Sequence, residues 1–357
     1  MNLSRSMKLV LGGGAAVIAV LAAAATAAYL GYDRARTPFK GFSEEELFVT
    51  VPSGSSAASI ARQLEAAGVI RESRLFLLAL RLSDESSRLQ AGEYRFALPL
   101  STLEVADRLV DGDVYTVAVT VPEGLTVAET AAHLASQGIG EEAALAQAFS
   151  ELSLVSGFAG NVSSLEGYLF PTTYHFTRNP EPAVVARAMV GQFEEVFDAG
   201  KRAKAEALGL ELHEVVTLAS IVEKETGAPD ERPLIASVFW NRLQRGMALA
   251  SDPTIIYALK LANEFDGNLR RVDLELESPY NTYRVPGIPP GPIASPGEAS
   301  INAVLEPAET AYLFFVSKND GTSYFSTNFR EHANAVRKYQ VEYFRNRRRR
   351  NNGDGSS

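Results

Sequence analysis

The sequence predicts an α+β protein with an N-terminal transmembrane helix, a repeated α+β module and a larger mixed α+β domain. Three observations predict this class. The segment from Leu9 to Tyr32 contains no charged residue, a strand–turn–helix pattern occurs twice within residues 46–140, and helical patterns with a late hairpin pattern fill residues 141–345. The 357 residues are enough for more than one core, and a content of 46% hydrophobic and 22% charged residues is typical of a folded chain.

The first element is the uncharged segment. A helix of that length spans the roughly 30 Å hydrocarbon core of a bilayer. We therefore expect residues 1–32 to form a short cytoplasmic stub and a retained single-pass anchor in the cytoplasmic membrane, with the rest of the chain exported. The alternative is a signal peptide cleaved among the alanines of residues 22–28, but the segment is longer than the usual apolar region of about 7–15 residues in such peptides.

The second element is a repeat, which follows a predicted linker at residues 33–45. One copy opens with the sequence from Val49 to Gly54 (Val-Thr-Val-Pro-Ser-Gly), and the other opens 70 residues later with the sequence from Val119 to Gly124 (Val-Thr-Val-Pro-Glu-Gly). Each copy predicts a strand of β-branched residues, a Pro-Gly turn and an amphipathic helix that ends at glycine. Such a small α+β module can serve either glycan binding or packing alone.

The larger domain is predicted to be mainly helical. Helical patterns cover residues 141–158, 182–208, 212–226 and 229–245. Residues 263–298 are rich in Gly, Pro and Asn and should be largely loop, and a hairpin is predicted around Asn319-Asp320-Gly321. A last helix carries His332, and residues 346–357 form a basic tail that we expect to be disordered.

Composition excludes several classes of function. The net charge of −9 argues against a chain that binds nucleic acid through its overall charge. Absence of cysteine excludes a disulfide framework, a thiolate metal site and a thiol nucleophile. None of the four histidines has the spacing of metal ligands, and no nucleophile-elbow motif is present. No metal or cofactor is therefore predicted, and the remaining chemistry is that of carboxylates.

The strongest local signal for such chemistry is the stretch from Leu218 to Thr226. On a helix, its apolar residues form a stripe, and Glu223 and Glu225 lie on the two borders of that stripe. A carboxyl group at the edge of an apolar surface is partly desolvated, as a general acid requires. The small side chains of Ala219 and Ser220, one turn below Glu223, leave room for a bulky substrate. Both glutamates could equally frame a helix end, and periodicity does not choose between them.

Five motifs in the larger domain occur in the order seen in a known family. They are Ser164 to Tyr174, Leu218 to Thr226, Ser237 to Leu243, Ser251 to Tyr257, and Pro279 to Tyr283 followed by Gly287 to Ile293. Together they resemble the endolytic murein transglycosylases, the MltG or YceG-like family, over about residues 45–345. The chain departs from the family's pattern at Thr172, where the family usually has Asp, and at Ser295, where it has Asn.

The resemblance implies a LysM-like module at residues 46–140, a YceG-like catalytic domain at residues 141–345 and a single catalytic glutamate, here Glu223. It implies cleavage of the bond between N-acetylmuramic acid and N-acetylglucosamine within glycan strands, without water, to leave 1,6-anhydro ends. The implied partners are peptidoglycan glycan strands, nascent ones above all, the cytoplasmic membrane and cell-wall synthases. The implied site of action is the extracytoplasmic face of the membrane.

Two rival hypotheses remain at this point. A hydrolase would need a second carboxylate across the scissile bond, which Glu166, Glu225 or Asp252 could supply. A peptidoglycan-binding protein without catalysis would use the repeat module as its functional part. Aromatic rings and polar side chains suit sugar binding. The candidate substrate-binding residues are Glu166, Tyr168, Glu225, Asn241, Asp252, Tyr257, Asn281 and Tyr283.

Overall fold

The computed structural model of the chain describes residues 5–83, 89–160 and 162–347, with side chains from residue 18 onward. The chain forms two compact units, which divide after Val117. The mixed α+β class is confirmed. The division falls between the two copies of the repeat, so the predicted module of residues 46–140 contributes one copy to each unit.

The first unit is a helical layer on a two-stranded sheet. Its elements are α1 (Arg5–Arg36), β1 (Leu47–Val51), α2 (Ala57–Ala66), α3 (Ser73–Leu82), β2 (Gly92–Phe96) and α4 (Thr102–Asp111). Strand β1 pairs antiparallel with β2, with Val49 opposite Tyr94. Buried residues alternate along β1, and Ile60 and Leu64 lie on one face of α2. Their side chains fill one core beneath the sheet.

The predicted membrane anchor falls within α1. Among the residues whose side chains the structure describes, no helix is both long enough and apolar enough to cross a bilayer. Residues 9–17 of the predicted anchor lie outside those residues. Of the predicted tail at residues 346–357, residues 348–357 also lie outside the described part of the chain.

The second unit packs many helices around a central one. Its elements are β3 (Val117–Thr120), α5 (Val127–Ser136), α6 (Glu142–Ala148), β4 (Thr173–Phe176), α7 (Pro182–Val196), α8 (Ala199–Leu208), α9 (Leu212–Glu225), α10 (Arg232–Gln244), α11 (Asp252–Leu261), α12 (Glu298–Leu305), β5 (Phe314–Ser317), β6 (Ser323–Ser326) and α13 (Phe329–Val336). Strand β3 pairs with β4, and β5 pairs antiparallel with β6. The predicted hairpin is confirmed, with Asn319 and Gly321 at positive φ in its turn.

The central helix is α9, which packs against α8, α10, α11 and α12. Every residue from Val215 to Val222 is buried, so the helix is enclosed on all sides rather than along the one stripe that periodicity predicted. Burial of its polar residues is tolerated because the hydroxyls of Thr217 and Ser220 donate to backbone carbonyls of the same helix, each at 2.7 Å. Complete burial ends at Val222, and Glu223 and Glu225 lie half-buried in the last turn.

One helix of the prediction is two helices in the structure. The pattern over residues 182–208 is interrupted at Phe197, whose backbone leaves the helical region and whose ring is buried. The next residue, Asp198, caps α8 by accepting a hydrogen bond from the backbone N–H of Lys201 at 2.9 Å. A favourable cap and a buried ring therefore stop one helix and start another within a continuous helical pattern.

Candidate active site

The carboxyl group of Glu223 lies near the C-terminal end of α9 and is held by two other elements. Its Oε1 accepts a hydrogen bond from Nη2 of Arg232, the first residue of α10, at 3.1 Å. Its Oε2 accepts from the backbone N–H of Gly297 at 3.1 Å and from the hydroxyl of Ser300 at 2.7 Å, both at the start of α12. The side chain is 8% exposed. These donors fix the carboxyl group in place, and the side chain keeps a small exposed fraction.

A second carboxyl group, from Glu123, joins this arrangement. Its Oε2 accepts a hydrogen bond at 3.2 Å from the same Arg232 nitrogen that binds Glu223. Burial and the neighbouring charge of Glu223 raise the pKa of Glu123, against the opposing effect of Arg232. The Glu123 side chain is 45% exposed, so it forms the open side of the pair.

Sequence reasoning missed Glu123, although one signal was available. It occupies the turn of the second repeat copy, at the position where the first copy has Ser53. A repeat that keeps its turn but changes a serine to an acidic residue in one copy marks a position under a different constraint. The pattern alone does not say which distant helix the turn contacts.

Backbone hydrogen bonds fasten the Glu123 turn to the rest of the site. The N–H of Gly124 donates to the carbonyl of Ser295 at 2.8 Å, and the N–H of Ser295 donates to the carbonyl of Leu125 at 2.8 Å. From α9, the ammonium group of Lys224 donates to the carbonyl of Gly124 at 3.0 Å. The segment before α12 and the turn after β3 therefore hold each other beside Glu223.

A cavity of about 280 Å³ opens beside this turn. Its lining combines apolar and aromatic side chains with two lysines: Thr126, Lys224, Pro253, Ile256, Tyr257, Lys260, Phe265 and Ile293. Lys224 belongs both to this lining and to the fastening of the Glu123 turn. Aromatic faces and cationic groups of this kind suit a sugar that carries acidic substituents.

The predicted residue Glu166 lies beneath this cavity. It is 6% exposed, and it accepts hydrogen bonds from the N–H of Val127 at 3.1 Å and from the hydroxyl of Tyr257 at 3.3 Å. Burial raises the pKa of Glu166 to about 8, although both hydrogen bonds favour the charged form. The arrangement ties the start of α5 to α11.

The predicted residues Glu225, Asp252 and Tyr283 form a second polar cluster. Glu225 accepts from the hydroxyl of Ser251 at 2.7 Å, and Asp252 accepts from the hydroxyl of Tyr283 at 2.6 Å. Burial raises the pKa of Glu225 to about 7, and the charge of Asp252 adds to the effect. No hydrogen bond of the described residues joins this cluster to Glu223, so the structure assigns the two glutamates of α9 different partners.

Three further predicted residues have partners inside the protein. The side-chain amide of Asn241 donates to the carbonyls of Thr310 and Tyr312 at 3.0 and 2.9 Å. That of the fully buried Asn281 donates to the carbonyls of Leu274 and Leu276 at 3.0 and 2.8 Å. Tyr168 is fully buried, with its hydroxyl 2.7 Å from Nδ1 of His213. These contacts stabilise loops and core: the Tyr168 and Asn281 side chains are buried, Asn241 is half-buried, and none of the three has a hydrogen bond to Glu223 among the described residues.

Known proteins resemble this chain over most of its length. Residues 49–338 match the model of the YceG-like family. The endolytic murein transglycosylase of Bacillus subtilis is 32% identical over 319 residues, which cover 85% of this chain and 87% of that protein. The endolytic murein transglycosylase of Streptococcus pneumoniae is 28% identical over 349 residues, which cover 87% of this chain and 62% of that protein.

A solved structure agrees with these relatives. The crystal structure of a YceG-like protein from Listeria monocytogenes superposes with a TM-score of 0.55 and 30% sequence identity. The superposition covers 82% of this chain and 99% of that chain. The family match spans both units, from β1 to the region after α13. The chain therefore belongs to the YceG-like family.

Proposed function

We propose that this chain is an endolytic murein transglycosylase, which cuts the bond between N-acetylmuramic acid and N-acetylglucosamine within peptidoglycan strands and leaves 1,6-anhydro ends. The observation that carries the proposal is the setting of Glu223, a partly accessible carboxyl group fixed by Arg232, Gly297 and Ser300. The names of the Bacillus and Streptococcus relatives support the same activity.

The proposed reaction needs one carboxyl group and no water. Protonated Glu223 donates its proton to O4 of the leaving N-acetylglucosamine as the glycosidic bond breaks. The resulting carboxylate takes the proton from the O6 hydroxyl of the muramoyl residue as that oxygen attacks C1 and closes the anhydro ring. The proton lost in the first step is thus recovered in the second. The fixed position of Glu223 suits both steps, because the same carboxyl group must be held within reach of O4 and then of O6.

A hydrolytic mechanism is the rival, and the carboxyl groups of the site argue against it. Hydrolases place two carboxylates about 5–5.5 Å or 6.5–9.5 Å apart, on opposite sides of the scissile bond. Glu123 lies beside Glu223 rather than across a bond from it, because both accept a hydrogen bond from one Arg232 nitrogen. Glu166, Glu225 and Asp252, the candidates that the sequence offered, have other hydrogen-bond partners.

Product analysis tests the reaction type. Purified glycan strands are digested with the full chain, and the fragments are examined by mass spectrometry. An anhydro end is lighter than a reducing end by one water, so transglycosylation and hydrolysis are separated directly. Digestion in ¹⁸O-labelled water gives the same answer independently. Incorporation of label at the new ends would exclude the proposed reaction in favour of hydrolysis.

Substitution tests the assignment of Glu223. Glu223→Gln keeps the volume and most hydrogen bonds but carries no exchangeable carboxyl proton, so turnover should fall by about 10⁴-fold or more, the upper end for lost acid–base catalysis. Glu225→Gln is the matched control from the same helix, and it should lose far less. Near-normal turnover of Glu223→Gln together with inactive Glu225→Gln would reverse the assignment.

We further propose that α1 anchors the protein in the cytoplasmic membrane as a single-pass helix, with the remaining chain on the extracytoplasmic side. Support comes from the continuous helix Arg5–Arg36 and from the uncharged segment within it. The full chain should stay with membranes after extraction at alkaline pH and should keep its N-terminal residues. A mature protein that begins after Ala28 would contradict this.

We also infer that the predicted LysM-like module contacts glycan strands, including nascent strands delivered by wall synthases. The strand–turn–helix copy of the first unit, with β1 paired to β2 and covered by α2, supports a small binding module. The inactive Glu223→Gln variant, with or without residues 46–117, can be sedimented with insoluble peptidoglycan. Equal sedimentation of the two forms would exclude a binding role for the first unit.

A further inference from the structure

The site contains two carboxyl groups and one guanidinium group in direct contact. Nη2 of Arg232 donates to Glu223 at 3.1 Å and to Glu123 at 3.2 Å. Nε of the same arginine donates to the hydroxyl of Ser300 at 3.0 Å, which in turn donates to Glu223. Arg232 is therefore the shared counter-ion of both glutamates rather than the dedicated partner of Glu223.

The charge balance of this trio depends on Glu123. With both glutamates ionised, the trio carries one excess negative charge in a partly desolvated place, and uptake of one proton makes it neutral. Without Glu123, ionised Glu223 and Arg232 would already be neutral together. Two further donors, Gly297 and Ser300, would then stabilise Glu223 in the ionised form, which is a base and not an acid.

We infer that Glu123 is a positioning residue of the proposed transglycosylase site: by sharing Arg232 with Glu223, it keeps one proton in the pair and so makes Glu223 available as the acid. This inference rests on the proposed function. Glu123 takes part in no bond change, because the proton given to O4 returns from O6. Burial and the charge of Glu223 raise the pKa of Glu123, which agrees with a pair that holds a proton.

The space for Glu123 is provided by Gly297. This glycine has an ordinary φ of −74°, so its conformation does not require glycine. A Cβ at this position would lie 1.9 Å from Oε1 of Glu123, so a side chain there would displace the Glu123 carboxyl group. The backbone N–H of residue 297 would still reach Glu223. The glycine thus serves the close approach of the second carboxyl group.

The other charged groups around Glu123 are already engaged. Lys224, on α9, donates to the carbonyl of Gly124. Glu298, at the start of α12, forms an ion pair with Lys201 at 2.8 Å. Arg232 is therefore the charge bonded to the Glu123 carboxyl group, Glu223 is the neighbouring charge on the same nitrogen, and the pH dependence of the site should follow this trio.

The test is the pH dependence of turnover by the full chain on purified glycan strands, measured from about pH 4 to 9. Glu123→Gln removes the negative charge beside Glu223, so the alkaline limb of the pH–turnover profile should move to lower pH by about one to two units. A neighbouring charge shifts a pKa by about 1–3 units, and the exposure of Glu123 reduces that effect. At neutral pH the shift of the limb equals a loss of roughly ten- to a hundredfold, and turnover should return to within a few-fold of wild type at acidic pH.

Two more variants give the direction of the effect. Gly297→Ala should displace Glu123 without removing it and should shift the limb in the same direction by a smaller amount. Arg232→Gln removes the positive charge and should shift the limb to higher pH. Circular dichroism shows whether each variant is folded, and Gly297→Ala keeps the test valid should Glu123→Gln fail to fold.

Three outcomes would overturn the inference. A uniform loss at every pH would mean that Glu123 has only a structural role. A loss as complete as that of Glu223→Gln at every pH would make Glu123 itself a catalytic residue. An unshifted limb would mean that the trio does not set the proton content of the site.

A readout independent of turnover separates this inference from the proposed function. In ¹³C-labelled protein, the carboxyl resonances of Glu123 and Glu223 should show the uptake of one proton by the pair. The midpoint of that titration should move to lower pH in Glu123→Gln. That movement is expected even if the products prove to be hydrolytic. Its absence, with anhydro products intact, would reject the role of Glu123 and leave the transglycosylase in place.

Discussion

The two copies of the strand–turn–helix repeat have the same local structure and different surroundings. Gly54 and Gly124 take φ values of 77° and 76° in the two turns. The turn of the first copy is exposed, and a Cβ at Gly54 would meet no atom within 4 Å. A Cβ at Gly124 would lie 3.6–3.8 Å from atoms of Lys224 and Glu223. One local pattern thus gives one local structure, whereas chemistry arises only where that structure packs against α9 and α12.

The difference teaches how a structural repeat acquires a role at a site. Both turns satisfy the same backbone requirement, so the residue before the glycine is free to vary in shape and charge. It is Ser53 in the exposed turn and Glu123 in the turn beside Glu223. Exchange of single residues between the copies therefore separates what the turn needs for folding from what the site needs for activity.

The largest expected effect is on turnover. Glu123→Ser gives the second turn the residue of the first, and turnover at neutral pH should fall by roughly ten- to a hundredfold because Arg232 is left to Glu223 alone. Ser53→Glu is the matched exchange in the exposed turn and should leave turnover unchanged. Steady-state release of fragments from glycan strands measures both. Equal effects of the two exchanges would show that the copies do not differ in function.

A smaller effect concerns the stability of the second copy. A hydroxyl caps each helix, Ser56 for α2 and Thr126 for α5, but only α5 has its first N–H, that of Val127, bonded to the buried carboxyl group of Glu166. The pKa of Glu166 is raised to about 8 in the folded chain, so folded protein keeps a proton that unfolded protein releases, and stability falls as pH rises from about 5 to 8. Glu166→Gln should remove on the order of 2–4 kcal/mol of this pH dependence.

The measurement for this second prediction is urea unfolding of wild type and Glu166→Gln at pH 5 and pH 8. The difference between the two proteins isolates Glu166 from other groups that titrate in the same range, such as Glu225. A decline in stability of the same size in both proteins would mean that Glu166 is already ionised in the folded state at pH 5, which would contradict the raised pKa.

The smallest expected effect is on the turns themselves. Gly54→Ala and Gly124→Ala each place a Cβ at positive φ and should lower the free energy of unfolding by about 1–2 kcal/mol. The two losses should be similar because the backbone conformations are similar. Only Gly124→Ala should also reduce turnover, since its turn carries Glu123. Thermal unfolding and turnover are measured on both variants. Reduced turnover of Gly54→Ala would contradict the prediction that only the second turn contributes to activity.

Local features of the fold were accessible from the sequence. The repeat, the hairpin around Asn319 and Gly321, the loop-rich stretch of residues 263–298 and the helix that carries Glu223 all follow from short-range patterns. The break at Phe197 did not, because one buried ring and one capping aspartate outweighed a continuous helical pattern.

The site was accessible only in part, because most of it depends on contacts between distant segments. Glu223 could be named from its motif, but Glu123 joins it from a turn 100 residues earlier in the chain. Asn241 and Asn281 carry polar groups that suit a sugar, yet their amides bind backbone carbonyls of neighbouring loops. Residue type indicates what a side chain can bond to, and tertiary packing decides which partner it meets.

The backbone bonds between the Glu123 turn and Ser295 have a consequence for the order in which the chain is made. Synthesis delivers residue 123 first, then residue 223, and only much later the segment of Ser295, Gly297 and Ser300, which holds the Glu123 turn and the Glu223 carboxyl group. A nascent chain that has emerged as far as α11 carries both glutamates and Arg232 but lacks the donors of Gly297 and Ser300. The complete setting of Glu223 therefore arises late in synthesis, after most of the second unit has left the ribosome.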